Sequence, residues 1–298
     1  MDKPPAGSRL LSQGMAAWIF YTRIPLPLPL TPTFDGIARW LPLVGLGLGC
    51  ILVAWHWLLS WLVPDGVRGI LVTVAWLIVT GGLHLDGVAD VADGLSINGH
   101  DLNEHDLNEH DLNEHDLNEH DLAQSQENGS NSEGSLSPGL QRRLEVMSDS
   151  RTGAYGVMAL CILLIWKSTA VASLPAQDGI LLVLTPAWGR MGQLLAIGLY
   201  PYLKPTGSGH FLKASIQWPQ DGIFGMLPLV LTTAAIGFWA DWTFLLLWSL
   251  GSGLIAAGVG YYFDRALGGH TGDTYGATVE WVEVLCLTLG LGLQSFLL

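Results

Sequence analysis

Seven stretches of this 298-residue chain are apolar for long enough to cross a membrane as helices, roughly 38–62, 69–85, 154–173, 179–199, 222–239, 243–262 and 276–297. About 20 residues at 1.5 Å rise cover the roughly 30 Å of a bilayer's hydrocarbon core. Strands of a membrane barrel would alternate apolar and polar side chains, and these stretches do not. Half of the residues are hydrophobic and only 13% are charged, against about 25% in a typical soluble domain. The chain therefore reads as an all-α polytopic integral membrane protein with about seven transmembrane helices. An amphipathic segment near 10–20 and a stretch containing Pro25, Pro27, Pro29 and Pro32 precede the first of them. Pro186 and Gly189 fall in the fourth, which predicts a kink or a break there, tolerable where neighbours satisfy the freed backbone groups.

The formal charge of −13 is concentrated in one place. Residues 98–135 carry 11 acids and no Lys or Arg, leaving about −2 (−13 plus 11) for the remainder. From His100 to Leu122 the pentapeptide His-Asp-Leu-Asn-Glu repeats. A period of five matches neither helical repeat, so it lays down no lasting apolar stripe. The following Ser/Asn/Gly-rich stretch reads as linker. We take 98–138 as a disordered, cytosolic, low-complexity insert within a single membrane-embedded catalytic domain spanning 1–298. Deleting 98–135 should leave substantial activity, and a folded but inactive deletion would contradict that reading.

Basic residues orient the chain. With the N-terminus in the cytosol, Lys3, Arg9, Arg23, Arg39, Arg142, Arg143, Arg151, Lys204, Lys213 and Arg265 all fall on that side, against Arg68 alone on the other. Ten against one is a strong positive-inside bias; the inner (plasma) membrane is the expected location. Lys3 and Arg9 precede an apolar stretch without a small-residue cleavage site, so no cleaved signal peptide is expected. Cys50, Cys161 and Cys286 lie apart in separate apolar runs and read as small core residues. Lipid is the expected surrounding partner, nucleic acid is not, and no feature specifies an oligomeric state.

Chemistry concentrates in three clusters. In Gly81-Gly82-Leu83-His84-Leu85-Asp86-Gly87-Val88-Ala89-Asp90-Val91-Ala92-Asp93-Gly94 the aspartates recur at i, i+4 and i+7. On a helix that spacing confines them to an arc of roughly 60°. Three carboxylates on one stripe repel one another unless a cation holds them, and hard divalent ions prefer oxygen ligands. Asp86, Asp90 and Asp93 are thus candidate Mg²⁺ ligands, with Gly87 and Gly94 expected to leave room for a bulky phosphorylated ligand. His84 precedes the stripe by two residues and points off it; it is either a helix-end histidine or a catalytic or substrate contact.

The second cluster runs from Arg142 to Gly156 and contains Asp149 and Arg151. Arg142 and Arg143 suit anchoring of the following span, whereas Arg151, between Asp149 and Gly153, suits phosphate oxygens through its planar fork. In the third, Gly268 to Gly276 contains Asp273 and is followed by Glu280 and Glu283, three apart on one helical face inside an apolar run. Intramembrane acids need a compensating partner. Arg190, mid-span, is either that partner or a phosphate contact. No P-loop, dinucleotide fingerprint or zinc motif is present.

Together these residues resemble the cobalamin synthase family, also called cobalamin-5′-phosphate synthase or adenosylcobinamide-GDP ribazoletransferase. Gly81 to Gly94, Leu144 to Gly156 and Gly268 to Glu283 carry the resemblance, with Thr22-Arg23-Ile24-Pro25 and Tyr200-Pro201-Tyr202. The resemblance covers nearly all of the chain except the repeat. It implies a Mg²⁺-dependent transferase joining adenosylcobinamide-GDP to α-ribazole or its 5′-phosphate with release of GMP, late in vitamin B12 biosynthesis. It also implies Mg²⁺ on Asp86, Asp90 and Asp93 against the diphosphate, with Arg151 and Arg190 adding positive charge. His84 or a nearby carboxylate would accept the nucleophile's proton. Asp149, Asp273, Glu280 and Glu283 would complete the metal shell or bind the ribazole. Two alternatives fit less well. A CDP-alcohol phosphotransferase would show Ala-Arg where Ala89 is followed by Asp90, and a cation transporter would carry acids on both membrane faces.

Overall fold

The computed structural model describes residues 6–26, 31–97, 137–175 and 179–297. The pentapeptide repeat and nearly all of its linker lie outside the described residues. Among those described the structure is all-helical: α1 (Ala6–Tyr21), a 3-10 turn (Ile37–Trp40), α2 (Leu41–Ser60), α3 (Asp65–Thr80), α4 (Leu83–Ser96), α5 (Pro138–Val146), α6 (Ala154–Ala172), α7 (Ile180–Leu199), α8 (Ser208–Ser215), α9 (Gln220–Gly237), α10 (Trp242–Leu267) and α11 (Gly272–Leu297). Six of these helices are long and apolar enough to cross a membrane, or seven if α3 and α4 together count as one span. The polytopic reading holds. The chain divides into two compact units, Met1–Val88 with Met158–Leu298, and Ala89–Val157.

In the larger unit α7 is the central helix, packed against α2, α9, α10 and α11. Almost every side chain from Leu181 to Ile197 on α7 is buried. Close approach explains its partnership with α2. Gly45 and Gly49, one turn apart, meet the α7 backbone around Val183 and Ala187 so tightly that a Cβ at either would collide with it. Small residues at i and i+4 are how membrane helices gain van der Waals contact, since lipid supplies no hydrophobic drive between them. Of the kink or break expected at Pro186, the break does not occur: α7 runs continuously through it.

The expected second span, 69–85, is not one straight helix. α3 stops at Thr80, Gly81 and Gly82 both take left-handed backbone (φ 69° and 67°), and α4 leaves at 95° to α3. Only glycine adopts that conformation at little steric cost. The acid-bearing segment is thereby turned away from the line of the span. The cysteines correct a second expectation: Cys286 is buried, but Cys50 and Cys161 are exposed on outward helix faces. In a membrane the lipid-facing side is as apolar as the core, so apolar context does not reveal which way a residue points.

Candidate active site

Turned by the glycine pair, the start of α4 meets the start of α11 within the larger unit. Gly87 lies so close to Asp273 that an added Cβ would strike the Asp273 carbonyl oxygen, and Gly276 sits against the His84 backbone. The room at Gly87 is therefore taken by protein rather than by a phosphorylated ligand. In the smaller unit Gly94 likewise admits the Met147 side chain. Sequence spacing shows that a side chain is trimmed, but not what fills the gap.

Where α1, α4, α7, α8 and α11 converge there is a cavity of about 240 Å³, lined among others by Tyr21, His84, Asp86, Gln193, Asp273 and Tyr275. Asp86 is exposed and His84 buried, so the cavity runs from an acidic rim into the protein. His84, predicted to point off the aspartate stripe, lines the same cavity as Asp86. Asp273 accepts a 3.0 Å hydrogen bond from Lys204 Nζ and a 3.3 Å bond from the Thr271 hydroxyl. Among the described residues no cation pairs with Asp86.

The rim is fixed by a backbone clip. His270 N–H donates to the Pro201 carbonyl and Leu203 N–H to the His270 carbonyl, both at 2.8 Å. This pairing explains why Tyr200-Pro201-Tyr202 and Gly268 to Gly276 occur together. The His270 ring lies 3.1 Å from the Gly260 carbonyl and 3.0 Å from the Thr274 hydroxyl, and it stacks on Tyr275 with centroids 5.4 Å apart. Burial pushes its pKa down to about 4, so it is a neutral wedge at physiological pH. It braces Tyr275 against the cavity.

The intramembrane acids have found their partners elsewhere in the same unit. Lys167 Nζ donates to Glu280 at 2.8 Å and to Glu283 at 2.5 Å, while Arg190 pairs with Glu283. All four side chains are fully or almost fully buried, and Lys167 also sits 4.0 Å over the Trp76 ring. Of the two roles open to Arg190, the structure shows the ion-pair partner. Glu280 and Glu283 face Lys167 and Arg190, and none of the four is among the residues that line the cavity. Lys167 falls inside the expected span 154–173, and nothing in the sequence links it to the acids 113 and 116 residues away.

The smaller unit holds the remaining candidates. Asp93 is buried, and its two oxygens accept the backbone N–H of Gly153 (2.7 Å) and of Gly156 (2.8 Å). It caps the N-terminus of α6, where unpaired N–H groups and the helix dipole favour a carboxylate. Asp90, one turn earlier on α4, is half-buried. Asp149 and Arg151 form an exposed pair at 2.7 Å, and the hydrogen bonds from Arg151 hold the Asp149 carboxyl down at about 2. Arg142 pairs with Glu145 at 3.3 Å, and Arg143 donates to the Ile97 carbonyl. Among the described residues no three His, Cys, Asp or Glu side chains lie close enough together to hold one metal ion.

Comparison with known proteins bears on this arrangement. The profile of a family described as cobalamin-5-phosphate synthase matches residues 13–105 and 133–291. An adenosylcobinamide-GDP ribazoletransferase from Synechocystis sp. is 42% identical over 284 residues, covering 93% of each chain. Its counterpart in Synechococcus sp. is 39% identical over 272 residues, 91% of this chain and 92% of the other. One from Prochlorococcus marinus is 32% identical over 286 residues, 92% of both. No solved structure matches the chain.

Proposed function

This chain belongs to the cobalamin-5-phosphate synthase family, and we propose that the cavity bounded by His84, Asp86 and Asp273 is where it performs the family's reaction. The enzyme joins adenosylcobinamide-GDP to α-ribazole or its 5′-phosphate and releases GMP, a late step of cobalamin biosynthesis. A ribose hydroxyl forms a bond to the phosphorus carried by the cobinamide arm, the bond from that phosphorus to GMP breaks, and the hydroxyl proton passes to a base. The observation carrying the site assignment is the meeting of Asp86 and Asp273 on the wall of one cavity that also reaches a buried histidine.

Magnesium suits part of this donor set. Asp86 is exposed and lacks a protein cation among the described residues, and Asp90 follows one turn along the same helix. Mg²⁺ is commonly bound by one or two carboxylates, its remaining positions going to water and substrate phosphate oxygens. Asp93 already caps α6 through one backbone N–H bond to each oxygen, so as a ligand it would offer its remaining lone pairs. When bound, the ion would supply positive charge to the diphosphate.

The chain's own groups do the rest. Lys204 keeps Asp273 neutralised at the rim, so the diphosphate meets less negative charge there. Arg151, exposed and paired with Asp149 in the smaller unit, is suited to phosphate oxygens by its planar fork. His84 lines the cavity with both ring nitrogens unpartnered among the described residues and would accept the hydroxyl proton. The bias of basic residues supports a cavity facing the cytosol from the inner membrane.

The test uses the full-length protein in lipid nanodiscs with adenosylcobinamide-GDP, α-ribazole and Mg²⁺. GMP and joined corrinoid should appear in equal amounts, cease with EDTA and return with added Mg²⁺. No GMP would sink the site's reading as a transferase. Undiminished turnover in EDTA would remove the magnesium while leaving the reaction.

A further inference from the structure

The inner wall of the cavity has a property that the transfer reaction does not by itself demand. The Tyr21 hydroxyl, the Tyr275 hydroxyl, Gln193 Oε1 and both His84 ring nitrogens have no hydrogen-bond partner among the described residues. All four side chains line the same cavity and none is more than 4% exposed. Burying a polar atom without a partner is costly, so such atoms are scarce in folded proteins. Four side chains bringing them to one cavity point to a ligand that completes their hydrogen bonds.

The character of that ligand follows from what the wall offers and what it lacks. Its donors and acceptors are neutral: two phenols, an amide and an imidazole. Among the described residues no Lys or Arg lines it, and the charged side chains that do are Asp86 and Asp273. A diphosphate pushed inside would leave the Lys204–Asp273 pair behind at the rim and find no cation on the inner wall among the described residues. Hydroxyls and heteroaromatic nitrogens match neutral groups of this kind, and aromatic side chains supply flat apolar faces for a planar base. Tyr275 is held for such contact by Tyr202 and His270, with ring centroids 5.7 and 5.4 Å away, and Tyr21 by Phe20 at 4.8 Å. At about 240 Å³ the space equals about eight waters of roughly 30 Å³ each. That suits a base with its pentose and excludes a corrin macrocycle.

The structure assigns Tyr21, Gln193 and Tyr275 as the pocket for the nucleoside acceptor, holding its base and pentose so that a sugar hydroxyl faces His84. The diphosphate-bearing partner stays outside, at the acidic rim. This assignment rests on the transferase reading of the same cavity and goes beyond it by stating which substrate enters.

Tyr21→Phe and Tyr275→Phe remove one oxygen each and keep the rings; Gln193→Met serves as a third variant should either fail to fold. In nanodiscs, α-ribazole affinity would be measured by equilibrium dialysis without metal or second substrate, and KM for each substrate in the full reaction. Each tyrosine variant should weaken α-ribazole binding and raise its KM by about fivefold. The KM for adenosylcobinamide-GDP should stay within about twofold, and the unfolding temperature unchanged. Unaltered α-ribazole affinity in well-folded variants would overturn the assignment, as would a rise confined to the KM of adenosylcobinamide-GDP. The two readings fail differently. Wild-type protein that binds α-ribazole but releases no GMP sinks the transferase site and keeps the pocket, whereas full turnover with indifferent variants does the reverse.

Discussion

Replacing Asp86 with asparagine should lower GMP release by about a thousandfold or more, equivalent to roughly 4 kcal/mol of transition-state stabilisation. Asparagine keeps the shape and removes the charge. Asp86 stands exposed at the rim of the cavity with no protein cation beside it among the described residues. Its burial-free position means that folding does not depend on it, so membrane insertion and unfolding temperature should match the wild type. The measurement is steady-state turnover beside a thermal melt of the same preparation. Turnover within a few-fold of wild type would show that this carboxylate is not a metal ligand. Asp93→Asn should behave differently: its oxygens cap α6, so the loss should appear first in stability.

Lys167→Met should cost the protein about 3–5 kcal/mol, the usual penalty for stripping a buried charge of its partner. At the sensitivity of a chain this size that is a fall in unfolding temperature of roughly 10 °C. The physical reason is the surroundings of Lys167. It bridges Glu280 and Glu283, every member of the group is fully or almost fully buried, and removing the ammonium leaves, among the described residues, Arg190 as the cation paired with this group. Neutralising an acid at the same time should recover part of the loss, so Lys167→Met with Glu280→Gln should melt higher than the single variant. A single variant that melts like the wild type would show that the network is not holding the helices together.

Much of the architecture was readable before any coordinates. Apolar runs of bilayer length permit only helices in a membrane, because backbone groups there must satisfy one another within the segment. Glycines and carboxylates between α3 and α5 marked the chemical segment for the same kind of local reason: spacing on a helix is a property of neighbours in the chain. The limits were equally physical. Whether 69–85 ran straight depended on two glycines adopting left-handed backbone, which composition permits but does not require. Gly87 and Gly94 announced missing side chains without telling what would fill the gaps. Arg190 kept two roles open because its partner lay 93 residues away.

Tyr21 and Gln193 carried no signal of their own, and Tyr275, though inside the cluster from Gly268 to Gly276, was not distinguished there from its polar neighbours. Each belongs to a different helix, and an isolated tyrosine or glutamine has many ordinary explanations. Their shared cavity exists only once α1, α7 and α11 meet. The family, the membrane-spanning helices and the acid-rich segment were thus determined by order along the chain, because hydrophobic length and helical periodicity are local. Which acid reaches the cavity, which one caps a helix and which ones are sealed into an ion network were decided by tertiary packing alone. Burial and partner choice depend on residues that meet in space after lying far apart in sequence.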